Sequence, residues 1–357
     1  MNRTANGTRT EINTPQVTPM ASSPTPSSGK ILLALLFAAA AAFCGMFFIP
    51  GLNTADHATG FSIRRGMGFM EIADEMQRAG TIRNRWQTIL TGRMIPGLHN
   101  IKPGRYTVPP GLSNFRLLSY LRSRPQDEVQ ITIPEGLDMR NVARLLSSKL
   151  DMDSTGFMAA VQNPVFLKKN NINGSTAEGY LFPGTYHFPW ADPPENAADF
   201  LVKQFRNFFS DSLKSIAASK GISEKSLLTL ASIVEAETPL DTEKPVVASV
   251  YLNRLKINMR LQADPTVQYA LGENARLLYY TDLAIDSPYN TYRHPGLPPG
   301  PICNPGAASI LAVLNPAKTS YLYFVATGKG GHYFSSTLAG HNENIRKYRA
   351  ARNNAKP

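Results

Sequence analysis

Cysteine and tryptophan are scarce, at two residues each in 357. Two cysteines, Cys44 and Cys303, exclude a disulfide framework and a four-cysteine zinc site. No His-Glu-x-x-His run occurs among the six histidines, which excludes that class of metalloprotease. Gly-x-Ser-x-Gly and the phosphate-loop pattern are also missing, so a nucleophile-elbow hydrolase and a P-loop nucleotide site fall away. Acidic residues are the minority charge, 26 against 37 basic, for a net +11. The basic residues are dispersed, with no stripe interleaved by aromatics, which speaks against a nucleic-acid groove. Only 18% of residues are charged, too few for a wholly disordered chain, and the length suits two or three domains.

One absence is local. Ile31 to Ile49 carries no charge at all, and its 19 residues are about enough to cross a bilayer as a helix. A cleavable signal peptide is the rival reading, with Ala40, Ala41 and Ala42 as a cut site. The long polar leader and the length of the run favour an uncleaved anchor. Arg3, Arg9 and Lys30 precede the run with Glu11 the sole acid, and the next basic residues are Arg64 and Arg65. The positive-inside rule then leaves the N-terminus in the cytoplasm and sends the remainder outside. Phe43 stands where a lipoprotein signal needs a small residue, so Cys44 is a poor lipid acceptor.

Residues 1–30, rich in Ser, Thr, Pro and Asn, have little to bury and read as a flexible tail. An internal repeat begins after the anchor. Phe61-Ser-Ile-Arg-Arg-Gly66 aligns with Ile131-Thr-Ile-Pro-Glu-Gly136 at an offset of 70, and Ile72, Ala73 and Met76 fall on Val142, Ala143 and Leu146. Each copy reads as a strand of period two, a glycine turn and an amphipathic helix, which predicts small α+β modules. Lys102 to Val108 reads as a turn into a strand, and Leu112 to Leu121 as a short helix. From Asp151 to Phe209 the pattern is helical, broken once by the aromatic, Pro- and Gly-bearing segment Glu178 to Trp190. Helices are expected over Ser223–Thr238, with Ser223 as cap, and over Thr242–Lys256. Pro288 to Pro316 is turn-rich, and a hairpin over Tyr321–Val325 and His332–Phe334 precedes a basic helix over Ala339–Ala351.

Two carboxylates, Glu235 and Glu237, close the apolar helix. Two positions apart on a helix, they point about 200° apart and do not face each other, so they do not form a glycosidase pair. Glu235 lies beside the stripe of Leu227, Leu230, Ala231 and Val234. Desolvation and the negative end of the helix dipole both favour its protonated form, as a general acid near neutral pH requires. The alternative is a surface residue paired with Arg254 or Arg260, and spacing alone leaves both open.

Several long motifs, in order, resemble the endolytic murein transglycosylase family, the YceG-like proteins. They are Ala231-Ser-Ile-Val-Glu235-Ala-Glu237-Thr238, Val247-Ala-Ser-Val-Tyr-Leu-Asn253-Arg254-Leu255 and Met259-Arg-Leu-Gln262-Ala-Asp264-Pro265-Thr266-Val267. Ser287-Pro-Tyr-Asn290-Thr291-Tyr292, Gly296-Leu-Pro-Pro-Gly300-Pro-Ile302, Asn304-Pro-Gly306 and Asn315-Pro-Ala-Lys318 follow, and Glu178-Gly-Tyr-Leu-Phe-Pro-Gly-Thr-Tyr186 precedes them. The likeness runs from about Phe61 to Tyr348. It implies an anchored α+β protein with a LysM-like strand–helix module at 50–130 and a mixed α/β catalytic domain at 131–357, behind a membrane helix at 31–49. It implies cleavage of peptidoglycan between N-acetylmuramic acid and N-acetylglucosamine, with the muramic C6 hydroxyl attacking its own anomeric carbon to leave a 1,6-anhydro end. The family's catalytic acid falls on Glu235. Ala236 departs from the Lys often found there, which alters only local charge.

The resemblance also implies that no metal or cofactor is needed, that the domain works outside the cytoplasmic membrane, and that penicillin-binding peptidoglycan synthases are its partners in ending glycan strands. Gln262, Asp264, Tyr289, Asn290, Thr291, Tyr292 and His332 are candidate substrate contacts. Each has a structural rival: Asp264 before Pro265 organises turns, and a lone histidine such as His332 is commonly structural. A non-catalytic wall-binding membrane protein remains the competing class, which substitution of Glu235 discriminates.

Overall fold

In the computed structural model, residue 1 and residues 28–272 and 277–354 are described. Most of the tail expected over 1–30 lies outside the described residues. Helix α1 (Ser28–Phe48) covers the uncharged run. Its 21 residues rise about 31 Å at 1.5 Å each, the thickness of a bilayer's hydrocarbon core. Only Phe47 is buried, and the helix is apolar on every side, as a lipid-facing helix must be. Its end is seated on the folded part: Phe48 packs 5.5 Å from Phe115, and the Asn114 amide donates to Met46 O at 3.0 Å.

The repeat is larger than the sequence reading held. Its first copy runs β1 (Thr59–Ile63), α2 (Phe69–Arg78), α3 (Arg85–Met94), β2 (Gly104–Val108) and α4 (Asn114–Ser123). Its second runs β3 (Glu128–Ile133), α5 (Met139–Lys149), α6 (Ser154–Gln162), α7 (Pro164–Lys169), β4 (Gly184–Pro189) and α8 (Pro194–Phe208). The two antiparallel ribbons share one register: Phe61 faces Tyr106 and Ile63 faces Gly104, as Ile131 faces Tyr186 and Ile133 faces Gly184. Pro103-Gly-Arg-Tyr106 thus matches Pro183-Gly-Thr-Tyr186 at an offset of 80 rather than 70. An insertion between the half-motifs hid this second half of the repeat. Strand β4 lies where the sequence pattern shows only an interruption of helices, because its aromatics and glycines lack a clear alternation. Gly66 and Gly136 turn the chain at φ +81° and +79°, where a Cβ is disfavoured.

Two cores form. One unites Phe61, Ile63, Ile72, Met76, Ile89, Tyr106, Leu117 and Leu121 from the first copy. The other starts at Ile131 and extends through the second copy into all that follows. There, α9 (Asp211–Ser219) leads to α10 (Glu224–Glu237), α11 (Lys244–Lys256), α12 (Asp264–Leu271), α13 (Ala307–Leu314), the hairpin β5 (Tyr323–Ala326) and β6 (His332–Ser335), and α14 (Leu338–Asn354). Ser223 caps α10 by accepting from Ser226 N–H, as expected. Residues 227–234 of α10 are all buried, between α11 and α13. Each large aliphatic among them contributes roughly 1.5–3 kcal/mol by leaving water. Helix α13 lies inside the stretch read as turn-rich. Its eight residues are apolar almost throughout, so no amphipathic period marks it in the sequence.

Candidate active site

The buried length of α10 delivers Glu235 to a place where three distant segments meet. Its side chain is 7% exposed. Oε2 accepts from the Gly306 N–H at 2.9 Å and from the Ser309 hydroxyl at 2.7 Å. Gly306 caps the N-terminus of α13, so the carboxylate at the C-terminal end of one helix lies over the N-terminal end of another. Oε1 accepts from Lys244 Nζ at 3.2 Å. Neither Arg254 nor Arg260 is the partner: the Arg254 guanidinium donates to the carbonyls of Leu322 and Leu261. Sequence reasoning counted desolvation and Glu235's own helix end. It missed the donors, which arrive from 9, 71 and 74 residues further along the chain.

Lys244 is itself almost completely buried, and its ammonium serves three carboxylates, Asp241 at 2.8 Å, Glu235 at 3.2 Å and Glu135 at 3.7 Å. Burial works to lower its pKa, but the bonds to Asp241 and Glu235 outweigh burial and raise it, so the charge is secure. Glu135 comes from the glycine turn of the second repeat. Burial and the neighbouring charge of Glu235 raise its carboxyl above the usual range. A Cβ on Gly306 would stand 1.9 Å from Glu135 Oε1, so the glycine makes room for that carboxylate. Beside this cluster a cleft of 280 Å³ is lined by Gly136, Arg140, Ala236, Gln268, Tyr269 and Cys303, among others.

A second buried acid ties Tyr269 of the cleft to the start of α5. Glu178 accepts from Met139 N–H with both oxygens, at 3.0 and 3.1 Å, and from Asn304 and Tyr269. Burial pushes its pKa to about 8, against the pull of the Met139 bond. Asn304 ties two segments. Its Oδ1 accepts from Gly179 and Leu181 N–H, and its amide donates to Leu137 O.

Glu237 leaves the helix away from Glu235, as the spacing predicts. It accepts from Tyr251 Oη at 2.5 Å, and burial lifts its carboxyl to about 7. Of the candidate contacts, Tyr292 donates to Asp264 on this same side. Gln262 is exposed at φ +48°, its N–H bonded to Thr291 O. Asn290 and Thr291 are fully buried, with the Asn290 amide donating to Leu283 and Ile285 carbonyls and the Thr291 hydroxyl accepting from Ala263 N–H. Their polar atoms hold the loop together. Tyr289 packs 4.9 Å from Tyr269 at the cleft. His332 sits apart from these, its Nδ1 2.8 Å from Glu243 Oε2 and its N–H donating to Oε1.

The family model for YceG-like proteins matches residues 61–347. The chain belongs to the YceG-like family. An endolytic murein transglycosylase of Bacillus subtilis is 35% identical over 274 residues, which is 72% of this chain and 76% of that protein. An endolytic murein transglycosylase of Streptococcus pneumoniae serotype 2 is 29% identical over 318 residues, 80% of this chain and 57% of the longer relative. The crystal structure of a YceG-like protein from Listeria monocytogenes superposes with a TM-score of 0.56 at 30% identity, covering 81% of this chain and 99% of that one. In this YceG-like chain the matched span starts at β1 and takes in both repeats, the Lys244 cluster and Glu178.

Proposed function

We propose that the chain is an endolytic murein transglycosylase that cuts peptidoglycan strands internally and leaves 1,6-anhydromuramic ends. The observation that carries this is one carboxylate, Glu235, held by donors beside a cleft. Oε2 is engaged by two donors and Oε1 by one, so Oε1 keeps a lone pair for the proton. Glu235 gives that proton to the glycosidic oxygen as the bond to the muramic anomeric carbon breaks. The same oxygen then takes the proton of the muramic C6 hydroxyl as that hydroxyl bonds to the anomeric carbon. The nucleophile belongs to the substrate, so no water is consumed, and its attachment supplies the proximity advantage of an intramolecular reaction.

Lys244, Gly306 and Ser309 hold the carboxylate between the two proton transfers. Glu135 shares Lys244 with Glu235 and so helps set the charge around it. Tyr289, beside Tyr269 of the cleft, is proposed to contact sugar there, and Tyr292, Asp264 and Gln262 to do so on the side of Glu237. Residues 50–130 form a LysM-like wall-binding module and 131–357 the catalytic domain, a division supported by the two separate cores. The anchor α1 holds the enzyme in the cytoplasmic membrane with its N-terminus inside, beside the penicillin-binding synthases whose strands it ends. Mass spectrometry of sacculus digests tests the reaction: anhydro-ended muropeptides are expected, and reducing ends would overturn the transglycosylase reading.

A further inference from the structure

A cavity of 630 Å³ lies away from Glu235, between the first repeat and the end of strand β4. Arg64, Arg78, Arg105, Glu71, Glu75 and Trp190 contribute to its lining. Arg105 lies 5.5 Å over the Trp190 ring. Glu75 pairs with Arg78 at 2.8 Å, and Glu71 accepts from Gly68 N–H. The guanidiniums of Arg64 and Arg105 are exposed and have no carboxylate partner among the described residues. The repeat provides an internal comparison. Ser62 and Arg105 stand opposite on the outer face of the first ribbon, where the second ribbon has Thr132 and Thr185, and Arg64 corresponds to Pro134. The first copy therefore carries basic residues where the second has small neutral ones, and Trp190 of the second copy supplies the aromatic wall facing them.

We infer that this cavity is a second binding site, taking a carboxylate-bearing stretch of the same peptidoglycan strand whose scissile bond lies at Glu235. It rests on the peptidoglycan reading above. Trp190 follows one end of the β3–β4 ribbon and Glu135 follows the other, since Glu128 pairs with Pro189 and Ile133 with Gly184. Six paired residues separate them by about 20 Å. Trp190 offers a face to a sugar ring, and Arg64 and Arg105 offer forked donors to lactyl or stem-peptide carboxylates. Glu71 and Glu75 suit the amino groups of stem peptides and repel the phosphate-dense surface of an anionic bilayer. A strand held at both ends of the ribbon is cut at a fixed distance from the held point, so the cavity sets where an internal cut falls.

The test is titration of soluble, uncut glycan strands bearing stem peptides into the full-length protein with Glu235→Gln, which keeps the strand intact. Arg105→Thr, which installs the residue of the second copy, should weaken binding about tenfold, the worth of one charge-assisted hydrogen bond. Trp190→Ala should weaken it as much, and Arg105→Lys should recover part of the loss. Short fragments spanning less than the ribbon reach one site at a time, so the ratio of long-strand to short-fragment affinity should fall in the Arg105→Thr protein. Equal affinity of long strands for all variants, or equal loss for long and short ones, overturns the inference. So does a loss of binding to phosphatidylglycerol vesicles in place of strands. Because binding is read without turnover, failure of the cleavage chemistry would show separately, as strands that bind but are never cut by the unsubstituted protein.

Discussion

Lys244 Nζ lies 3.2 Å from Glu235 Oε1 while its own side chain is 2% exposed, so a buried ammonium is paired with the carboxylate proposed as the general acid. A buried charge persists only with partners, and Lys244 has three. The relationship fits a role for Lys244 in positioning Glu235.

Replacing Lys244 by Met keeps the buried volume and removes the charge. Turnover should fall at least about tenfold, the worth of a charge-assisted hydrogen bond. Glu135, already raised by burial and by the charge of Glu235, would then lose the cation that opposes both. Stability should therefore be lost as pH rises through the carboxylate range. Thermal melts at pH 5 and pH 8 check this, and a variant that melts like its parent at both would remove Lys244 from the cluster's electrostatics.

Gly306 and Glu135 should behave as one unit. Gly306→Ala has no backbone conflict, since φ is −76°, but its Cβ would displace the Glu135 carboxylate. Both Gly306→Ala and Glu135→Ala should lower turnover, and the double variant should lose little more than the worse single one. A coupling of roughly 0.5–3 kcal/mol is the range for residues in contact. Fully additive losses in steady-state rates would show that the two act apart.

Much of this was legible in the sequence. The α10 helix, its cap and the opposed directions of Glu235 and Glu237 follow from periodicity and from about 100° per residue. The donors to Glu235 were not legible, because Lys244, Gly306 and Ser309 lie on separate elements and only the fold brings them together. Ser309 was doubly hidden, on an apolar helix with no polar face to give it a period. Glu135 stood in plain view as the counterpart of Arg65 in the repeat, and the exchange of charge at that turn was the available signal. The candidate loop at Asn290 and Thr291 shows the converse, since amides and hydroxyls that bond their own backbone look in sequence like ones that bond sugar.

The pH dependence of folding should carry the mark of Glu178. Its carboxyl titrates at about 8 in the folded protein against an ordinary 4.5, raised by burial. The folded state thus keeps a proton that the unfolded chain releases. The resulting stability is complete below the unfolded value and is lost as pH rises through about 8. Glu178→Gln replaces the protonated acid with an amide able to donate to Tyr269 Oη, so its melting temperature should fall less between pH 5 and 9. Glu237, lifted to about 7, adds a fall of the same sign that the variant retains. Parallel melting curves for the parent and Glu178→Gln would contradict the assignment.

The most direct measurement is the turnover of Glu235→Gln beside Glu237→Gln on purified sacculi, with melting temperatures as the folding control. The amide at 235 can accept the bonds from Ser309 and Gly306 but cannot supply a proton, so activity should fall by about two to four orders of magnitude. Glu237→Gln, bonded to Tyr251 on the far side of the helix, should lose far less. Equal losses in the two variants, with melting temperatures unaltered in both, would contradict a mechanism that rests on Glu235 alone.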